Sequence, residues 1–271
     1  MSVPVRIAPV FLDKIWGSTR VEPWFPSTDR KIGEVWFPCE REIPLLVKFI
    51  FTEEALSVQV HPEDEFARAH ENSAGKTEMW HILRADPGAR LALGFREPLP
   101  PQRIRETALS GEIEQLLNWI DVSPGQTFLV EAGTVHAIGG GLALCEIQQF
   151  SDITYRLYDY GRPRELHLDK AVLVAHTGVH PGASVPVPAA DGWMLLAQSR
   201  YFRTEARTIE GRFEYRGAAE RPQLLIVLEG QGEIGSKSFS AGQAWLMPAD
   251  AGPVPITSAK PMRVLRTFVP G

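Results

Sequence analysis

The chemistry of this chain concentrates in one stretch, Leu56-Ser57-Val58-Gln59-Val60-His61-Pro62. In an extended strand, neighbouring side chains point to opposite faces. Leu56, Val58 and Val60 then form an apolar stripe, and Ser57, Gln59 and His61 a polar one. Leaving such a row buried without partners costs roughly 1–3 kcal/mol per group, so a polar partner is expected against it. Gln59 and His61 share a face at a spacing that lets both reach one metal ion. Two further residues can join them. Glu78 opens a strand in Gly75-Lys76-Thr77-Glu78-Met79-Trp80, and His136 sits where glycines flank a strand end in Gly133-Thr134-Val135-His136-Ala137-Ile138-Gly139. Imidazole nitrogens and a carboxylate suit zinc, with some tolerance for other first-row ions. With a single anionic ligand the site keeps about one positive charge, so the ion stays a strong Lewis acid with room for water or substrate.

The chain that must position these groups has 271 residues, enough for one large or two modest domains. Its 44% hydrophobic and 23% charged content is ordinary for a globular protein. No apolar run is long enough to span a bilayer, and no charged-then-apolar leader pattern opens the chain. A cytoplasmic protein is expected. The net charge of −5 argues against a general nucleic-acid binder but not against an anionic small molecule, which responds to the local field. Cys39 and Cys145 make no disulfide framework and read as small buried hydrophobes. The oligomeric state is left open.

Short strand-like runs dominate: 45–51, 56–61, 79–83, 127–131, 142–149 and 154–159, then 193–197, 224–228 and 243–247. Such runs, punctuated by Gly and Pro, predict a sandwich or barrel. One helical insert is expected over Gln102–Leu117, after a double proline, and a shorter helix over Asp64–His70. The Gly-, Pro- and Ala-rich segment 177–192 reads as a linker or a long crossing. There is also an internal echo. Gly125-Gln126 leads into Thr127–Val130, and Gly242-Gln243 leads into Ala244–Met247. This implies two copies of one β-unit. All seven histidines lie at or before His180, so any metal belongs to the first copy.

Several blocks together resemble type I mannose-6-phosphate isomerases, in the short bacterial form of that cupin-fold family. They are K-I-W-G (14–17), G-E-V-W (33–36), L-S-V-Q-V-H-P-E-D (56–64) and G-K-T-E-M-W (75–80). The longest runs over 128–162, with its A-G-T-V-H-A-I-G core and the later S-D and T-Y-R-L-Y-D. They occur in the family's order across roughly residues 1–170. The resemblance implies a mainly β double jelly roll. Residues 1–180 would form a metal-binding catalytic domain with a helical insert near 101–120, and residues 191–271 a second barrel without metal ligands. It implies one zinc ion per chain on Gln59, His61, Glu78 and His136, and interconversion of mannose 6-phosphate and fructose 6-phosphate. Arg156 matches the family's active-site arginine, Lys76 a lysine assigned to proton transfer, and Glu146 an acidic pocket residue. Lys48, Ser57 and Arg162 fall where the family holds the sugar phosphate.

The chain departs from the family pattern at Glu131, at His81 and at Gly75, where long-chain relatives carry a histidine. A mechanism using that histidine cannot operate here. Beside a metal, Lys76 is expected to have a lowered pKa. His81 is expected on the face opposite Glu78, and Trp16, Trp36 and Trp80 as core or pocket wall. Two competing readings are a cupin dioxygenase, against which the amide Gln59 argues, and a sugar-binding or regulatory relative without turnover. Gln148 and Gln149 have no derivable role.

Overall fold

Strands Leu45–Thr52 and Leu142–Gln149 are buried at every position. Strands covered on both faces read as near-continuous apolar runs, which is why the sequence marks these two clearly. The computed structural model describes residues 2–217 and 221–271. In it the two strands form the centre of a six-stranded antiparallel sheet. Its order is Val10–Ser18, Ile32–Pro38, Leu45–Thr52, Leu142–Gln149, Glu78–Ala85, Thr127–Val130. One face packs Ile50, Trp80, Leu142 and Leu144 against Leu91, Leu93 and Ile138 of a second sheet. The other face packs Val47, Phe49, Cys145 and Ile147 against Leu224, Ile226 and Leu265 of the C-terminal half.

The second sheet has five strands, ordered Tyr155–Tyr158, Val58–Val60, His136–Ile138, Arg90–Phe95, Leu117–Asp121. Its outer face, including Val58, Val60 and Phe95, is covered by Ile104 and Ala108 of helix Pro101–Ser110 and by Ala171 of helix Leu168–Val174. Gln59 therefore points inward, into the gap between the two sheets. The C-terminal half is a nine-stranded sheet with its own core around Trp193, Val227, Trp245 and Val264. Strand Val5–Arg6 joins this sheet against Trp245 and Leu246, so the N-terminus is stitched into the second barrel. The architecture is mainly β, as expected.

The internal echo is a shared hydrogen-bond pattern. Gly125 N donates to Ile82 O, and Ile82 N to Gln126 O; Gly242 N donates to Val227 O, and Val227 N to Gln243 O. Both turn glycines adopt positive φ, 91° and 82°. This correspondence places Gln223 of the second barrel where the first has Glu78, since Glu78 opposes Val130 and Gln223 opposes Met247.

Several elements differ from expectation. The expected helix 102–117 is two helices, Pro101–Ser110 and Ile113–Leu116, with Leu117 opening a strand. The break is Gly111 at φ 80°, packed so that a Cβ would meet Tyr158 at 3.1 Å. Strand 56–61 shortens to Val58–Val60. Segment 177–192 holds a short strand, Val187–Pro188. The long strands Arg203–Tyr215 and Val254–Phe268 escaped notice because charged and small residues interrupt their apolar alternation.

His81 lies on the back of the six-stranded sheet, its Nδ1 2.8 Å from Thr127 Oγ1. Burial, helped by the charge of Arg263, pushes its pKa down to about 3. The unfolded histidine binds a proton near pH 6.5, so the folded state loses stability as pH falls from about 6.5 towards 3, by up to about 1.4 kcal/mol per pH unit. Denaturant midpoints at neutral pH and about pH 4.5 should fall less for His81→Gln than for the unaltered protein; equal losses would contradict this.

Candidate metal centre

The gap between the two N-terminal sheets is lined from both sides in register. On the five-stranded sheet, Gln59 directly opposes His136 on one neighbour and Arg156 on the other. Directly opposed residues share a face, so Arg156, Gln59 and His136 form one row. His61 follows the end of the central strand. On the six-stranded sheet, Trp36 opposes Lys48, Lys48 opposes Glu146, and Glu146 opposes Trp80. Glu78 opposes Gln148 one step along. The turn before His136 is tied to His61, whose carbonyl accepts from Gly133 N at 2.8 Å.

His61, Glu78 and His136 converge, each 1% exposed, with ligand atoms all within 4.8 Å of one another. His61 Nδ1 lies 2.7 Å from Ile153 O and His136 Nδ1 2.8 Å from Thr134 O. A carbonyl only accepts, so each Nδ1 carries the proton and donates. Burial holds both rings neutral, His61 well below the ordinary histidine range and His136 at about 4. Each Nε2 therefore presents a lone pair, and each lies 3.6 Å from a Glu78 oxygen. Lone pairs of two imidazoles and a carboxylate face one another. Glu78 Oε2 is buried and accepts no well-directed hydrogen bond. Burial, with Glu146 nearby, raises the Glu78 carboxyl to about 7. Such a set is completed by a cation, and its donors fit a divalent ion of the zinc type.

Gln59 presents Nε2 to His136 Nε2 at 3.3 Å, while its Oε1 accepts from Ser57 Oγ at 3.1 Å. Turning the amide over puts the carbonyl oxygen towards the centre and lets Nε2 donate to the Ser57 hydroxyl, which also accepts. The fourth expected ligand is thus within reach in one of its two orientations.

Two lysines flank the cluster. Lys76 Nζ sits 3.1 Å from His61 Nε2 and 3.2 Å from Glu78 Oε2. Burial works to lower its pKa, but Glu78 and Glu146 outweigh it and raise the group above the ordinary lysine value. Without an ion, then, Lys76 is a firm cation rather than the depressed amine expected beside a metal. Lys48 Nζ lies 3.2 Å from Glu146 Oε1 and 4.6 Å from the Trp36 ring centroid. Trp80 Nε1 donates to Glu146 Oε2 at 3.0 Å. Burial opposes ionisation of Glu146, yet Lys48 and Lys76 hold its carboxyl below the usual range.

Of the remaining expected residues, Lys48 and Ser57 are buried and the two arginines half-buried. Arg156 is half-buried and donates from Nη1 to Glu165 O, with Nε unpartnered. Arg162 pairs with Asp159 and reaches Ala55 O at 2.8 Å, which brings it near Ser57 along the chain. Lys48 lies on the opposing sheet. Sequence reasoning missed Glu34, which accepts from Trp36 Nε1 and pairs with Lys14, and the contacts of Gln148 and Gln149. The available signal was two consecutive amides ending a strand that is apolar but for Glu146.

No model of a known protein family matches this chain. Curated relatives do. It is 32% identical to the probable mannose-6-phosphate isomerase GmuF of Bacillus subtilis, over 93% of this chain and 95% of that protein. It is equally similar to mannose-6-phosphate isomerase ManA of the same organism, over 92% and 94%. A Streptococcus mutans mannose-6-phosphate isomerase is 37% identical over 70% of this chain and 62% of that protein. Among solved structures, the B. subtilis mannose 6-phosphate isomerase superposes with a TM-score of 0.87 at 28% identity, covering 98% of this chain and 99% of that one. A zinc-bound mannose 6-phosphate isomerase shares the fold, with a TM-score of 0.78 at 15% identity over 99% of this chain. On the strength of these near-full-length relatives, the chain belongs to the mannose-6-phosphate isomerase family.

Proposed function

We propose that this protein interconverts mannose 6-phosphate and fructose 6-phosphate with one zinc ion per chain. The observation that carries this reading is the buried meeting of two neutral imidazoles with Glu78, each Nε2 turned towards one of its oxygens. Gln59, His61, Glu78 and His136 would hold the ion. When bound, it supplies Lewis-acid polarisation of the sugar's oxygens.

The chain's own groups then divide the work. Aldose–ketose exchange moves a proton between C1 and C2 while negative charge develops on the sugar's carbonyl oxygen. Arg156, in the same row as Gln59, offers a guanidinium to that charge. Lys76 Nζ lies beside the ligand atoms, where the charge of a bound ion would lower its pKa. The neutral amine so freed takes the proton from one carbon and returns it to the other. Glu146 is tied by Lys48 and Trp80 and supports the charge on Lys76 rather than competing for the proton. Lys48, Ser57 and Arg162 are assigned to the phosphate. Lys48 and Arg162 each already hold a carboxylate, which a dianion must share or displace. Burial between two sheets excludes bulk water and strengthens each of these interactions.

Three outcomes follow. Zinc added to chelator-stripped protein at about a hundred times its dissociation constant should stabilise the fold by about 2.7 kcal/mol, a rise in melting temperature on the order of 5–10 °C. Glu78→Gln should abolish most of the rise; an unresponsive parent protein would remove the metal assignment. Lys76→Met should lower kcat by roughly 10²–10⁴-fold, while the unaltered enzyme incorporates solvent deuterium at the transferred position. Full retention of substrate label would instead point to hydride transfer. Lys48→Ala should raise KM for mannose 6-phosphate more than tenfold, and an unchanged KM would move the phosphate elsewhere.

A further inference from the structure

Lys76 and Glu78 flank Thr77, and the backbone of Thr77 is held from behind by one amide. Gln149 Oε1 accepts from Thr77 N at 2.9 Å, and Gln149 N donates to Thr77 O at 3.1 Å. The other end of the same side chain donates from Nε2 to Asp64 Oδ1 at 2.8 Å. That Asp64 oxygen also accepts from Gly75 N at 2.8 Å. Lys76 N donates to Pro62 O at 3.0 Å, and Thr77 Oγ1 accepts from Ala132 N at 3.1 Å. A Cβ on Gly75 would come within 2.5 Å of Asp64 N, so the turn lies directly on the backbone that follows His61.

Three consecutive amides, those of Gly75, Lys76 and Thr77, thus end on Asp64, Pro62 and Gln149. The outer two are fixed by a single hydrogen-bonded pair of side chains. Gln149 alternates with Ile147 and points away from the gap, so it touches neither the metal cluster nor a substrate lodged there. Its amide orientation is set by its partners, because Thr77 N requires an acceptor and the Asp64 carboxylate a donor. Burial, countered by the donors from Gly75 and Gln149 and by the charge of Arg68, leaves Asp64 below its ordinary pKa, and the carboxylate stays an acceptor.

We propose that Gln149 and Asp64 are positioning residues that set Lys76 and Glu78 against the imidazoles from behind the sheet. They act on the metal through the Gly75–Thr77 turn and on the chemistry through Lys76. The kinetic consequence rests on the isomerase reading above; the metal consequence does not. The pair borders an open hollow of about 550 Å3 shared with Phe150 and Tyr201, so an altered side chain has room.

The test compares Gln149→Leu, Asp64→Ala and Asp64→Asn with the parent protein. Asp64→Asn keeps the Oδ1 acceptor for Gly75 and Gln149 and replaces Oδ2 with a donor that Arg68, itself largely exposed, must turn away from. Zinc affinity is measured by competition with a chromophoric chelator, alongside kcat, KM and the melting temperature of the stripped protein. Gln149→Leu and Asp64→Ala should weaken zinc binding and lower kcat by about 10–100-fold. KM should stay within about threefold, because the phosphate groups are untouched, and Asp64→Asn should stay near the parent in every readout. A lowered melting temperature with zinc affinity and kcat preserved would overturn the proposal in favour of a purely structural bond. If Gln149→Leu does not fold, the Asp64 variants decide: equal zinc affinity for Asp64→Ala and Asp64→Asn overturns it. A parent protein that binds zinc without turning over mannose 6-phosphate would sink the isomerase reading alone, and the affinity arm would still decide this one.

Discussion

Two imidazole lone pairs and a carboxylate cannot be buried face to face without a cation between them. With Glu78 ionised each is an acceptor, and the positive charge they face is that of Lys76, whose Nζ lies 3.1 Å from His61 Nε2 and 3.2 Å from Glu78 Oε2. In this chain the conflict is built in by the backbone. The carbonyls of Ile153 and Thr134 take the Nδ1 protons of His61 and His136, which forces both Nε2 atoms to carry lone pairs towards Glu78. Such outer contacts orient metal-binding histidines and fix their tautomers. Most of the surrounding structure is arranged to hold this conflict in place. The row of Arg156, Gln59 and His136 comes from strand pairing, and Glu78 arrives from the opposing sheet.

The duplicated architecture shows how differently the two barrels are furnished at equivalent positions. The turn and strand following Gly125 and Gly242 make matching bonds to Ile82 and Val227. At the position equivalent to Glu78, the second barrel has Gln223, hydrogen-bonded to Tyr215 and buried in an apolar interior. An amide in place of the carboxylate removes the one anion, and with no histidine in that half no imidazole pair can assemble. The second barrel instead covers the back of the catalytic sheet, where Leu224, Ile226 and Leu265 meet Val47, Phe49 and Ile147. It also captures the N-terminal strand. Its packing buries the reverse face of the sheet from which Lys48, Glu78 and Glu146 project.

What was legible in the sequence follows from how local the signal is. The alternation of Ser57, Gln59 and His61 is a period-two pattern, and the buried strands 45–52 and 142–149 are apolar runs, so both can be read from neighbours alone. The doubled Gly-Gln turn is equally local. What failed depended on distant partners. The helix expected over 102–117 stops at Gly111, a left-handed C-cap, and Tyr158 from far along the chain lies where a side chain at that position would go. In the metal-free site Glu78 and Glu146 raise Lys76, and no spacing rule reveals how close they come. The contact of Arg162 with Ala55 O joins segments more than a hundred residues apart, which spacing alone does not reveal. Gln149 looked idle because its partners Thr77 and Asp64 meet it only across the fold.

The central claim concerns a location, so anomalous X-ray scattering at the zinc edge is the most direct measurement. Crystals of protein loaded with Zn2+ and freed of excess should show one strong anomalous peak per chain. That peak should lie between the Nε2 atoms of His61 and His136 and the carboxylate of Glu78, with the Gln59 carbonyl oxygen turned towards it. No peak in that gap, or a dominant peak on other side chains, would contradict the account.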